Sequence, residues 1–265
     1  MPRDPGPPRG LLHPHVARGR FVHERVAPTN AALAEHVAHF WWVAWDLRGE
    51  APFTTQTLPH PVVHVVFEAR RTEVLGVATG AFTRKLVGVG HTIGIKFRPA
   101  MFQPWLRAAA STLTDDKLPL SQLLGISARE LTRAARAASR LRDAIPALER
   151  ILLARMPGAS VEHHATRDLV ERMASDPELT RVEHVAALAG VDVRTLQRRF
   201  ARLVGVSPKW VIQRYRLHEA AAKLTAAQPP TLAAIAASLG YFDQAHFARD
   251  FKAVVGAAPS AYLRR

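Results

Sequence analysis

Residues 182–211, VEHVAALAGVDVRTLQRRFARLVGVSPKWV, and residues 232–263, LAAIAASLGYFDQAHFARDFKAVVGAAPSAYL, carry one pattern written twice. Ala186 and Gly190 match Ala236 and Gly240 at an offset of 50 residues. Leu196, Phe200, Gly205 and Pro208 match Phe247, Phe251, Gly256 and Pro259 at an offset of 51. The offset grows by one residue between these two sets, and that extra residue falls in the turn after the glycine, where a change of length costs least. A repeat of this size is about one helix-turn-helix unit.

Both copies obey the same local rules. Val182, Val185, Ala186 and Leu188/Ala189 recur at helical spacing, as do Leu232, Ile235, Ala236 and Leu239. Gly190 and Gly240 then stop the first helix, because a residue without Cβ accepts a positive φ. Asp192 and Asp243 stand where an N-cap opens a second helix. That helix has a narrow apolar stripe, Leu196, Phe200 and Leu203 in one copy and Phe247, Phe251 and Val254 in the other. Its opposite face carries Arg194, Gln197 and Arg198, or Gln244, His246 and Arg249. Gly205 and Gly256 close the helices, and Ser207-Pro208 or Ala258-Pro259 starts the next element. One polar helix face is ordinarily just a solvated face. A basic, amide-bearing face that follows a short glycine turn and occurs twice suits the reading of bases, since Arg bonds guanine and Gln adenine in the major groove.

The stretch from about Leu169 to Arg265 resembles the DNA-binding domain of the AraC/XylS transcription regulators, most closely in AAIAASLGYFDQAHFARDFKAVVGAAPSAYLR. The resemblance covers roughly the last hundred residues. It implies seven helices, with two helix-turn-helix units joined by a long central helix, here Lys209 to about Ala226. It also implies that two recognition helices enter successive major-groove segments of duplex DNA about one turn apart, ~34 Å. Arg194, Gln197 and Arg198 fall on contact positions of the first such helix, and Gln244, His246 and Arg249 on those of the second. Ala245 falls on a contact position too, with a side chain too short for polar readout. Such a regulator would be cytoplasmic, with RNA polymerase as a further partner.

The rest of the chain bounds the alternatives. Its 265 residues are enough for two domains with ordinary cores. Hydrophobic content of 48% and charged content of 22% are those of a soluble globular protein. No run of 18 apolar residues occurs, so no membrane span is expected. MPRDPGPPRGLLHPHVARGR has no apolar core of the signal-peptide kind and reads as a disordered tail, residues 1–20. Without cysteine, disulfides, thiolate metal sites and cysteine nucleophiles are excluded. The net charge of +14 favours a polyanionic partner. Yet residues 166–265 hold 15 Lys/Arg and 9 Asp/Glu, a balance of +6, while the remainder carries +8. Charge alone therefore does not locate the DNA-binding half.

Residues 21–156 read as an α+β domain, a small sheet or barrel with helices, ahead of an all-α carboxyl-terminal domain. Thr29 or Asn30 caps a short helix, ALAEHVAHF; FWWVAWDL (40–47) and PVVHVVFEAR (61–70) read as strands. Glu73–Thr79, Lys85–Gly90 and Thr92–Arg98 look like further strands, and MFQPWLRAA like a short helix. Leu58-Pro59 before a buried strand, and Gly94–Pro99 (GIKFRP), are similar to a domain often found ahead of AraC-type domains in actinobacterial and proteobacterial regulators. That resemblance implies a sensor or regulatory module. This sequence departs from it at His60, where Asp is common.

Several residues here leave two readings open. Trp41, Trp42 and Trp45, with His64 and His91, either line an effector pocket or belong to core and sheet. Lys96 and Arg98 either anchor an anionic small-molecule effector or are surface charge. His60, His64 and His91 are either metal ligands or satisfied polar residues. His60 and His64 lie about 13 Å apart on an extended strand, too far to share an ion without a bend. Residues 126–156 are helical, with Ser127 and Glu130 as a capping box and Pro146 as a break. Their stripe, Leu131, Ala134, Ala135, Ala138 and Leu141, serves either a homodimer through 127–156 or a domain cap. Residues 157–162 read as the linker, and 163–265 as the DNA-binding domain.

No catalytic set, phosphate loop, metal site or cofactor motif stands out. The expectation is a sequence-specific transcription regulator, not an enzyme. The alternative is a metal-dependent sensor or enzyme in the amino half, delivered by the DNA-binding half.

Overall fold

The structure is a computed structural model that describes residues 11–12, 19–176 and 178–262. The amino half is built on an antiparallel six-stranded sheet, β2-β3-β8-β5-β6-β9. Its strands are β2 (Val22–Val26), β3 (Val37–Leu47), β5 (His64–Phe67), β6 (Thr72–Leu75), β8 (Gly88–Phe97) and β9 (Lys117–Pro119). A separate three-stranded sheet orders β1 (Leu11–Leu12), β4 (Phe53–Thr57) and β7 (Phe82–Leu86). Short helices α1 (Ala31–Ala34), α2 (Gln103–Leu106) and α3 (Leu120–Leu124) fill the connections, and α4 (Ile126–Ala137) and α5 (Leu141–Arg155) follow.

One face of the large sheet is a conventional apolar core. Phe40, Trp42, Val65, Phe67, Ile93, Ile95 and Phe97 alternate into it, and Leu131, Ala135, Leu141, Leu148 and Leu152 of α4 and α5 pack on top. The apolar stripe of residues 127–156 is thus spent on covering the sheet. That packing is the domain cap, one of the two roles open to the stripe.

Four local expectations are corrected. The helix after Asn30 stops at Ala34, because Val37, Phe40 and Trp42 are drawn into β3 by the core. The expected strand Lys85–Gly90 is divided at Val87, where Gly88, with φ of +59°, turns the chain from β7 into β8. Ser127 makes no cap: α4 starts at Ile126 after Gly125, and Ser127 is buried. Pro146 lies inside α5; the break comes instead at Ala138–Arg140, and Leu141, Ala144, Ile145 and Leu148 hold the helix through the proline. The disordered tail expected for 1–20 falls mostly outside the described residues, but Leu11 and Leu12 within it pair with Thr57 and Gln56 of β4.

The described part of the carboxyl half is helical: α6 (Val161–Ser175), α7 (Val182–Leu188), α8 (Val193–Leu203), α9 (Pro208–Leu224), α10 (Leu232–Ser238), α11 (Gln244–Val255) and α12 (Pro259–Tyr262). Pro157 to Ser160 form no regular element, and Ser160 caps α6. Two cores flank α9. One gathers α6, α7, α8 and the start of α9; the other gathers the end of α9 with α10, α11 and α12. Neither is closed by the carboxyl half alone. Val77 and Ala100 enter the first, Leu12 and Leu58 the second.

Candidate nucleic-acid interface

In the first repeat, α7 ends at a turn whose Gly190 has φ of +65°. Asp192 then caps α8, accepting from the Thr195 amide at 2.9 Å and its hydroxyl at 2.6 Å. Those bonds hold the Asp192 carboxyl below the usual carboxylate range. Leu196, Phe200 and Leu203 bury one side of α8. Arg194, Gln197 and Arg198, spaced i, i+3 and i+4, lie exposed together on another. Their basic neighbours behave differently. Arg199 pairs with Glu162 of α6 at 3.2 Å, and Arg202 pairs with the same carboxylate. Among the described residues, Arg194 and Arg198 form no ion pair; Arg198 reaches only the Thr195 hydroxyl, at 3.4 Å. The fold divides the arginines of one helix into an internal set and an outward set.

The second repeat repeats this construction. Thr231 caps α10, Gly240 turns with φ of +69°, and Asp243 caps α11 by accepting from the His246 amide at 2.6 Å. Phe247, Phe251 and Val255 bury its inner side. Gln244, His246 and Arg249 are exposed, with His246 and Arg249 on one face at i, i+3 and Gln244 at the helix start. His246 also lies 3.7 Å from Asp250 and edge-on to the Tyr241 ring at 5.2 Å, so it is partly engaged within its own unit. The linking helix α9 opens at Ser207, whose hydroxyl accepts from the Trp210 amide at 3.2 Å.

The residues expected to line an effector pocket are not brought together. Trp42 stacks on His91 at 4.4 Å on the helix-covered side of the sheet. Trp41, Trp45 and His64 are on the other side, where Trp41 Nε1 donates to His64 Nδ1 at 3.2 Å. Pairing across β3, β8 and β5 sets His39, Lys96 and His64 in one row, and Arg25 opposite Trp41. His39 and Arg25 were missed by the sequence reading, because register, not spacing, brings them here. Burial, then the nearby Lys96, lowers the His64 pKa to about 3 and that of His39 to about 2. Arg98 is engaged within the protein: it donates to the Ala34 carbonyl at 2.7 Å and pairs with Glu171 of α6 at 2.5 Å.

The three candidate metal histidines are dispersed. His60 stacks on His218 of α9 at 4.3 Å, His64 accepts from Trp41, and His91 stacks on Trp42. Among the described residues, no three His, Cys, Asp or Glu side chains are grouped to hold a metal ion. Among them, too, no helix is long and apolar enough to cross a membrane.

Comparison with known proteins agrees with the helix-turn-helix geometry. A helix-turn-helix domain model matches residues 185–265, and a domain of unknown function (DUF6597) matches residues 24–119. No curated protein matches the chain. Among solved structures, a probable AraC family transcriptional regulator from Rhodopseudomonas palustris CGA009 is 34% identical over 38% of this chain and 95% of its own, with a TM-score of 0.34. An AraC-type transcriptional regulator from Chromobacterium violaceum is 22% identical over 36% of this chain and 86% of its own, with a TM-score of 0.33. ToxT from Vibrio cholerae is 11% identical over 92% of this chain and 98% of its own, with a TM-score of 0.39.

Proposed function

The chain belongs to the AraC family of transcription regulators, and from that premise we propose that it reads a specific duplex sequence and answers to a small effector. The observation that carries the first half is the sorting of arginines on α8. Arg199 and Arg202 serve the fold through Glu162, while Arg194, Gln197 and Arg198 are left outward as a group. Gln244, His246 and Arg249 form the corresponding outward set in the second unit. Arg and Gln forks match the guanine and adenine edges of the major groove. Binding sites selected from a random duplex pool test this. Gln197→Ala or Arg198→Ala should cost roughly 1–3 kcal/mol at one base pair and relax the preference there. Uniform weakening across all sequences would instead mark a phosphate contact, and equal affinity for random and selected duplexes would overturn specific reading.

The effector reading rests on the face of the large sheet opposite the one that α4 and α5 cover. His39 and His64 stay neutral at pH 7 beside Lys96 and Arg25, and Trp41 offers an aromatic plane in the same place. Such a half-buried cluster suits a small organic anion with a flat or apolar body. Titrating a panel of aromatic carboxylates while following tryptophan fluorescence tests it. Saturable quenching that Lys96→Met abolishes supports the assignment; the same response in Lys96→Met removes it.

A further inference from the structure

Phe242 stands out in the second repeat because it does nothing for the fold. The two turns align as Gly190-Val191-Asp192 and Gly240-Tyr241-Phe242-Asp243. Val191 packs partly buried on the first core, and Tyr241, 7% exposed, does the same for the second. Asp192 and Asp243 cap their helices by the same bond to the third helical amide. With both flanking roles taken, Phe242 is the inserted residue. Phe242 is 94% exposed, more than any other large apolar residue among the described residues.

We infer that Phe242 is a specificity-determining residue, which packs on a thymine 5-methyl group in the major groove. The inference rests on the DNA-reading function proposed above. A phenylalanine this exposed gains by finding apolar surface, since burying it recovers its hydrophobic transfer energy. Its position says which surface that is. It immediately precedes the N-cap of α11, and the N-terminal residues of such a helix are the ones that meet base edges. Gln244, two residues on, has the kind of side chain that pairs with adenine, and the partner of adenine presents its methyl on the same groove edge. Ala245 beside it is too short for polar readout, so this helix has an apolar contact where α8 has a polar one.

The test begins with sites selected by the full chain from a random duplex pool. Thymine at one position of the second half-site is then replaced by uracil, which removes only the methyl group. Wild type should bind the uracil duplex roughly fourfold more weakly, the equivalent of one buried methyl. Phe242→Ala should bind both duplexes alike, and Phe242→Leu should keep part of the discrimination. Since the ring is exposed, Phe242→Ala should melt at the wild-type temperature. A selected site with no preferred thymine there, or a uracil effect identical in wild type and Phe242→Ala, overturns the inference and leaves the DNA-reading function standing. A Phe242→Ala change confined to sedimentation behaviour also overturns it, in favour of self-association. Failure of wild type to enrich any sequence would instead sink the underlying function.

Discussion

At the residue scale, the aspartates before α8 and α11 separate structural from reading roles. Asp243 sits among exposed polar side chains, yet its carboxylate is occupied by the His246 amide at 2.6 Å. Its contribution is therefore to the start of α11. Asp243→Ala should cost about 1 kcal/mol of stability, seen in urea denaturation, while Asp243→Asn should retain most of it. If both substitutions were neutral, the cap would be incidental. Phe242, its neighbour, has the opposite character, touching the fold little and costing it nothing when removed. Adjacent residues thus report on different properties, and stability and uracil discrimination can be measured separately.

At the element scale, the repeat was legible because each of its signals is local. Glycine, aspartate cap, apolar stripe and proline are all set within a dozen residues of one another, and Leu196, Phe200, Phe247 and Phe251 are buried as their spacing implies. The strands of the amino half were less legible. Lys85–Gly90 looked continuous because a single glycine within an apolar run, here Gly88, is as compatible with a bulge as with a turn; the pairing of β7 with β4 and of β8 with β3 divides it. The same non-local pairing makes the polar row His39, Lys96 and His64, which no spacing rule reveals. Two outcomes follow from that sheet. Gly94 leaves room for Trp41, since a Cβ there would lie 2.0 Å from the indole ring. Gly94→Ala should therefore cost about 1–3 kcal/mol by overpacking, read as a lowered melting temperature. The buried histidines also make stability pH-dependent. With folded pKa values of about 3 for His64 and about 2 for His39, each binds fewer protons folded than unfolded below pH ~6.5. Stability from this source is complete above that pH and declines as pH falls beneath it, by up to about 1.4 kcal/mol per pH unit for each histidine. Denaturation midpoints between pH 7 and 5 should fall for wild type and fall less for His64→Gln. An identical slope would show that other groups dominate.

At the scale of the whole molecule, the seam between the halves is a shared interior. Arg214 of α9, 2% exposed, donates to the Thr79 carbonyl and stacks on Trp210 at 4.5 Å; burial lowers its pKa to about 10, so it stays charged. Thr79 in turn donates its amide and hydroxyl to Asp115, both at 2.6 Å, and the Thr114 hydroxyl donates to the Gly205 carbonyl at 2.6 Å. Loops of the amino half are thereby fastened to the central helix and to the end of α8. Leu58 tests whether the sharing is energetic. It is contributed by the amino half but buried with Leu217, Ile235, Phe247 and Phe251 in the core of the second helix-turn-helix unit. Leu58→Ala should cost 2–5 kcal/mol, as deletion of a fully buried leucine does. The consequence should appear where the core is: amide exchange should quicken in α10 and α11, and affinity for the second half-site should fall while the first is held. Exchange that quickens only within residues 21–156 would mean that the two halves touch without sharing stability.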